Sequence, residues 1–347
     1  MDEIGQTRGC GRAEWEYDSE LNQYGTPMSM MLLPFWTDGC IGSMEGLFFE
    51  SSATTPYHFL ASSALSAAPS RPVRNLRYDP LDVPKGVQYM QLLGVRYYMA
   101  FSPAAVKMAR EDQGLTEIAS SGPWVIFEVA DSEIVAPLEN EPAVVEGADK
   151  NSKSWLRVGE DFFLDPETWN VELAASGPDA WQRIEVGQVP EERPLQPVEV
   201  TNITTDDDRI SFDVDRVGVP VLVKASYFPN WQASGADGPW RVTPNLMVVV
   251  PTSEHVSLHY GRTPIDIAGI LLTLLGFAGL FWLIRSPALV FPAPKERRAA
   301  APDHDDGWDV DDASATDELW DDWDQWQSDD DWRPDMADPG GDPRPLQ

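Results

Sequence analysis

From Ile265 to Ile284 the chain reads IDIAGILLTLLGFAGLFWLI, 20 residues with one charge, Asp266, near the outer end. A helix of that length rises about 30 Å, the thickness of a bilayer hydrocarbon core. A buried helix of a soluble protein is rarely this apolar for so long without a polar face, so the stretch predicts a transmembrane helix. Thr273 and the glycines Gly269, Gly276 and Gly279 fit that reading, since small residues in such helices often face neighbouring helices.

The flanks set an expected orientation. The 20 residues before the span hold one basic side chain, Arg262, whereas the 20 after it hold four: Arg285, Lys295, Arg297 and Arg298. The positive-inside rule places the C-terminus in the cytoplasm and the bulk of the chain outside the cell membrane. Yet the chain opens MDEIGQTRGCGRAEWEYDSE, without the basic and apolar regions of a signal peptide. Either the topology is inverted, or the chain is the C-terminal fragment of a longer multi-pass protein whose preceding helices initiate export. The second is the expectation adopted, and it makes the span the last helix of a bundle.

Charge narrows the partners. The formal net charge is −32, of which −15 comes from residues 303–347, with 17 acidic and 2 basic side chains. Runs such as WDDWDQW and SDDDW lack the aliphatic content to bury, so a disordered tail is expected. Leu319, Trp323 and Trp326 follow helical spacing, which leaves a partner-docking segment open as an alternative. Basic residues cluster only beside the span, which excludes a nucleic-acid partner. No CxxC, HExxH or spaced Cys/His set is present, so neither a metal site nor a cofactor is expected. The two cysteines, Cys10 and Cys40, form a disulfide if the domain is exported and are otherwise two separate thiols.

Along the chain, residues 1–60 read as irregular but ordered, with the apolar run Met28 to Trp36 broken by Pro34. The stretch CIGSMEGLFFESSATTPYHF mixes acids, hydroxyls and aromatics and reads as a surface loop made for polar contact. Residues 61–80 look loop-like. From Pro84 one face carries Val87, Met90 and Leu93, and Gly94 is placed to end a helix. VRYYMAF reads as a strand, SPAAVKMAR as a helix opened by Ser102 and Pro103, and LTEIAS and WVIFEVA as two more strands. Residues 137–197, rich in Pro, Gly and acidic side chains with isolated tryptophans, read as connecting structure or short strands. After Val198 four β runs follow, RISFDVD, PVLVKASYF, NLMVVV and HVSLHY, separated by turn clusters FPNW and ASGADGPW. The fold class expected is α+β. A small extracytoplasmic α/β region spans 1–136, a connecting region 137–197 and a β-sandwich 198–263. A transmembrane helix over 264–285 and an acidic tail over 286–347 complete the chain.

The run from Pro220 to Gly276 resembles the end of the YfhO-type bacterial membrane proteins. It has a strand, a Tyr-x-Pro-x-Trp turn (Tyr227, Pro229, Trp231), a glycine-rich hairpin, a Pro-x-x-x-x-Val strand and a last helix. LLGVRYYMAF and WVIFEVADS are similar to that family's Leu-Gly-Val-x-Tyr strand and the strand after it. WEYDSELNQYGTPMSMMLLPFWTDG and the residues after it look like an actinobacterial branch sometimes labelled pyruvoyl-tetrahydropterin-synthase-related, a label that carries no pterin chemistry. The resemblance covers about residues 10–290. It implies a multi-pass, glycosyltransferase-like protein that uses polyprenyl-linked sugars in envelope glycan assembly. It further implies that the catalytic acid lies on an early loop, upstream of this chain.

Sugar transfer needs a carboxylate to take a proton from the acceptor. Asp38, Glu45, Glu50 and His58 in the polar stretch are the candidates for substrate contact, with Tyr57 as a ring on which a sugar stacks. Their irregular spacing equally fits solvated loop charges, and Tyr57 equally fits a core. No nucleophile elbow, P-loop or dinucleotide fingerprint is present. Two functions follow as expectations. One is the extracytoplasmic and last-helix portion of a lipid-linked-sugar glycosyltransferase. The other is a non-catalytic, membrane-anchored ectodomain that binds envelope glycans or assembly partners.

Overall fold

The computed structural model describes residues 1–46, 52–148, 152–206 and 208–286. Glu50 and the acidic tail lie outside them.

The N-terminal part is built on a five-stranded sheet. A short helix α1 (Asp2–Arg8) leads into β1 (Gly11–Trp15); 3-10 turns and α2 (Leu33–Trp36) connect it to β2 (Ile41–Ser43). Then come α3 (Thr55–Leu65), α4 (Val83–Leu93), β3 (Val95–Ala100), α5 (Pro103–Glu111), β4 (Leu115–Ser121) and β5 (Trp124–Val129). The strand order is β2-β1-β3-β5-β4, parallel where β1 meets β2 and β3 and antiparallel elsewhere. Both faces are covered. Tyr98 and Phe127 pack beneath α3 and α4, while Trp15, Tyr97, Met99 and Ile126 join a second cluster with Leu21, Met31 and Leu33.

Local chemistry accounts for the helices between the strands. Asp82 caps α4 by accepting the Lys85 N–H, and Gly94 ends it at φ 65°, a left-handed conformation that glycine adopts without strain. Ser102 caps α5 through the Ala105 N–H, and Pro103 occupies its first turn. These are the boundaries that spacing predicts.

The first 60 residues are more regular than expected. β1 escapes notice because Glu14 interrupts its hydrophobic pattern and Glu16 follows directly after it. The end of the expected surface loop, from Thr55 onward, opens α3 instead, and every residue from Tyr57 to Leu65 is buried. A helix buried all round shows no amphipathic stripe, and its serines and histidine mimic a loop composition.

The second half adds β6 (Val135–Pro137), β7 (Ala143–Val145), α6 (Ser152–Leu164), β8 (Leu173–Ala174) and β9 (Arg183–Ile184). It continues with β10 (Val200–Asp206), β11 (Arg209–Val214), β12 (Val221–Val223) and β13 (Trp231–Ser234). β14 (Ala236–Val242), β15 (Leu246–Pro251) and β16 (His255–Tyr260) complete it. One sheet has the order β10-β11-β16-β13 and the other β6-β12-β15-β14-β8-β7-β9. Ile210, Phe212, Val256 and Leu258 from the first meet Val221, Val223, Met247 and Val249 from the second in one core cluster. The alternate residues Leu222, Leu246 and Val248 face the core under α3, so the second sheet is buried on both sides and its strands read as unbroken apolar runs.

The segment 137–197 supplies the short strands β7 to β9 and, beyond what was expected there, the helix α6, whose Trp155 and Phe163 are buried. Strands of two or three residues are too short to show alternation. ASGADGPW, expected as a turn, lies mostly in β13 and β14, where Gly235 at φ 77° carries the chain from one sheet to the other.

Finally α7 runs over Pro264–Arg285, 22 residues with a mean hydropathy of 2.4 in its most apolar window, none of which is buried. It is long and apolar enough to cross a membrane. The arrangement as a whole is mixed α+β with this apolar C-terminal helix.

Candidate functional site

Two polar constellations stand out. The first is closed. Residues alternate across β1, so Ala13 and Trp15 enter one core while Glu14 points the other way, toward α3. His58 Nδ1 lies 3.1 Å from Glu14 Oε2, and its Nε2 lies 3.5 Å from Glu45 Oε2, an electrostatic contact without hydrogen-bond geometry. Ser62, one turn along α3, reaches the same Glu14 carboxylate. All three charged groups are buried. Burial opposes a charge on the imidazole, but Glu14 and then Glu45 outweigh it and push the His58 pKa up to about 10. Burial also raises Glu14, with His58 acting against it. The arrangement is an imidazolium held between two carboxylates. It fastens α3 to β1 and to the segment after β2.

Glu16 extends this network by accepting the N–H groups of Phe101, Ser102 and Ala67 at 2.7, 2.8 and 3.0 Å. A further buried acid, Glu172, accepts the Thr243 hydroxyl at 2.8 Å. Burial raises its pKa to about 8, against weaker lowering by Thr243 and Lys224.

The second constellation is open. A cleft of about 1240 Å³ runs from the start of β1, past β3 and the end of β5, to β10, β11 and Trp231. Exposed carboxylates line it: Asp38, Asp131, Glu133, Asp206 and Asp208. Two guanidinium groups also line it, but their donors are engaged. Arg12 donates to the carbonyls of Leu93 and Lys224 at 2.8 and 2.5 Å, and burial lowers its pKa to about 10, so it stays cationic. Arg96 donates to Glu128 at 3.1 Å and to the Arg8 carbonyl at 2.5 Å. The free groups are therefore mostly acceptors. Such a cleft suits a ligand rich in hydroxyl donors, or a cation, and disfavours a phosphate. Trp231 adds an aromatic surface at one end, in edge contact with Tyr260 at 5.5 Å. Among the described residues no group of three or more His, Cys, Asp or Glu is gathered to hold a metal.

The residues expected to contact substrate separate. Asp38 lines the cleft, on a turn at φ 51°. Glu45 and His58 meet each other, but in the closed network and away from the cleft lining. Tyr57 is part of the core, its ring 5.6 Å from that of Phe163, and burial raises its pKa. These three side chains are buried, which does not fit the expected solvent-facing loop at their positions. Cys10 and Cys40 are disulfide-bonded and border the cleft.

No family model, curated protein or solved structure matches the chain. Sequence reasoning missed Glu14, Glu16 and Glu172, since nothing in a single sequence separates a buried acid from a solvated one. It also missed the carboxylates on the opposite wall of the cleft, which come from segments about 90 to 170 positions after Asp38.

Proposed function

We propose that this chain is a membrane-anchored, extracytoplasmic recognition domain that holds a hydroxyl-rich glycan of the cell envelope in the cleft beside Asp38 and Trp231. The observation that carries this is the chemistry of the cleft: free acceptors, engaged cations and one aromatic surface. Sugars offer donors to carboxylates and an apolar ring face to an indole. The Cys10–Cys40 disulfide supports an oxidising compartment, and α7 supports attachment to the bilayer. In this reading the two sheets that share one core form a β-sandwich, the platform behind the cleft.

A second reading keeps the chain as the last portion of a glycosyltransferase-like protein acting on polyprenyl-linked sugars. Its support is position: Trp231 touches Tyr260, which precedes α7 by only a few residues. A lipid-linked sugar would enter from that side, with its phosphates kept clear of the acidic walls.

The test is titration calorimetry of the full chain with a panel of neutral hexose oligomers. Binding by at least one is expected, weakened about fivefold by Trp231→Ala, the 1 kcal/mol or so of an aromatic face, and also weakened by Asp38→Asn. Binding that neither substitution alters, or no binding across the panel, would remove the cleft from the function.

A further inference from the structure

β16 passes into α7 through only three residues, Gly261, Arg262 and Thr263. The join is clamped. Asn230 Nδ2 donates to the Gly261 carbonyl at 2.9 Å and to Asp266 Oδ2 at 3.0 Å. Gly261 N–H returns a bond to the Asn230 carbonyl at 2.9 Å. The same Asp266 oxygen accepts the Thr263 N–H and the Thr263 hydroxyl, each at 2.7 Å. The turn Tyr227–Trp231 is thereby tied to the first turn of α7.

That turn carries aromatic surface that the fold leaves uncovered. Phe228 and Tyr260 are each 43% exposed, with ring centroids 6.1 Å apart, and Trp231 closes on Tyr260 from the other side. Phe228 is two residues from Asn230, no more than about 7 Å along the chain. Asn230 itself touches Asp266, one residue inside the apolar span. A bilayer has an interfacial layer of roughly 5–8 Å on each side of its hydrocarbon core, where amphipathic rings concentrate.

We propose that Phe228 and Tyr260 form an aromatic collar seated in the headgroup layer of the bilayer, with the Asn230–Asp266 clamp holding the domain at a fixed attitude to the membrane. The inference rests on α7 crossing the bilayer. Its occupant is lipid because the patch is continuous with the start of α7, whose apolar side chains are exposed over its length.

The experiment uses the full chain in phosphatidylcholine–phosphatidylglycerol vesicles, with an environment-sensitive fluorophore on one introduced thiol at a time. Phe228→Cys tests the collar, Leu274→Cys the middle of α7, and Val189→Cys, 84% exposed and outside the collar, serves as the aqueous control. Quenching is read from lipids spin-labelled near the headgroup and near the chain end. The collar label should be quenched about twofold more by the headgroup-proximal lipid than the control, and the Leu274 label most by the deep one. Asn230→Ala should reduce the collar signal while leaving the Leu274 signal in place. Deep quenching at Leu274 with control-level quenching at Phe228 overturns the collar and leaves the anchor standing. Absence of quenching at Leu274 overturns the anchor and the collar with it. Tyr260→Cys provides an independent label should Phe228→Cys fold poorly.

Discussion

His58 at neutral pH is an imidazolium between two carboxylates, and Glu172 is a carboxyl group that burial keeps largely protonated. Both make the folded chain sensitive to base. A folded pKa raised above the unfolded value contributes stability that is complete below the unfolded pKa and is lost as pH rises through the folded one. For Glu172 that window runs from its usual 4.5 to about 8. For His58 it lies higher, from 6.5 to about 10. Replacing Glu172 by Gln keeps an acceptor for the Thr243 hydroxyl and removes the titration. The melting temperature of Glu172→Gln relative to the parent should therefore rise between pH about 5 and pH about 9. The gain corresponds to on the order of 3–5 kcal/mol. An offset that is the same at both pH values would contradict the buried, protonated state of Glu172. The Glu45–His58 pair, expected from sequence to face substrate, acts instead on folding, because breaking a buried ion pair strands the remaining charge.

Among elements, α3 is the one around which the others close. It meets α4 so tightly that a methyl group added at Gly86 would lie 2.4 Å from Leu65 Cδ2 and 2.6 Å from its Cγ, inside van der Waals contact. Leu65 is fully buried and has no room to yield. Gly86→Ala gains helix propensity of about 1 kcal/mol but over-packs this contact, and a net destabilisation of about 1–2 kcal/mol is expected in urea unfolding. Unchanged or increased stability would mean that the two helices are separable. What was legible beforehand follows the same physics. α4, β3, α5 and the strands β11, β12, β15 and β16 announce themselves through one-sided burial, capping side chains and β-branched runs. α3 is buried on every side, β1 carries the inward-facing Glu14 with Glu16 just past its end, and β7 to β9 are too short for any period. Among the described residues expected to contact substrate, Asp38 alone lies at the cleft, because clefts are assembled from walls distant in sequence.

At the scale of the molecule, two fastenings govern the behaviour of the whole. The disulfide joins positions 30 residues apart, at the start of β1 and just before β2, and so restrains the N-terminal segment against the first sheet. Closing a loop of that length contributes about 3–4 kcal/mol by limiting the unfolded chain. The double variant Cys10→Ser/Cys40→Ser should lose about that much in chemical unfolding, and dithiothreitol should bring the parent to the same midpoint. Coincident curves for parent and variant without reductant would show that the bond adds nothing. The other fastening is the continuity of β16 with α7. β16 lies between β11 and β13, hydrogen-bonded on both sides rather than at an edge. Tension pulled in through the helix therefore loads two ladders in shear, all rungs resisting together, where an edge strand would peel one rung at a time. In the proposed reading, lateral drag from a bilayer on α7 would be carried into the middle of the sheet, and this joint would act as a mechanical coupling as well as an anchor.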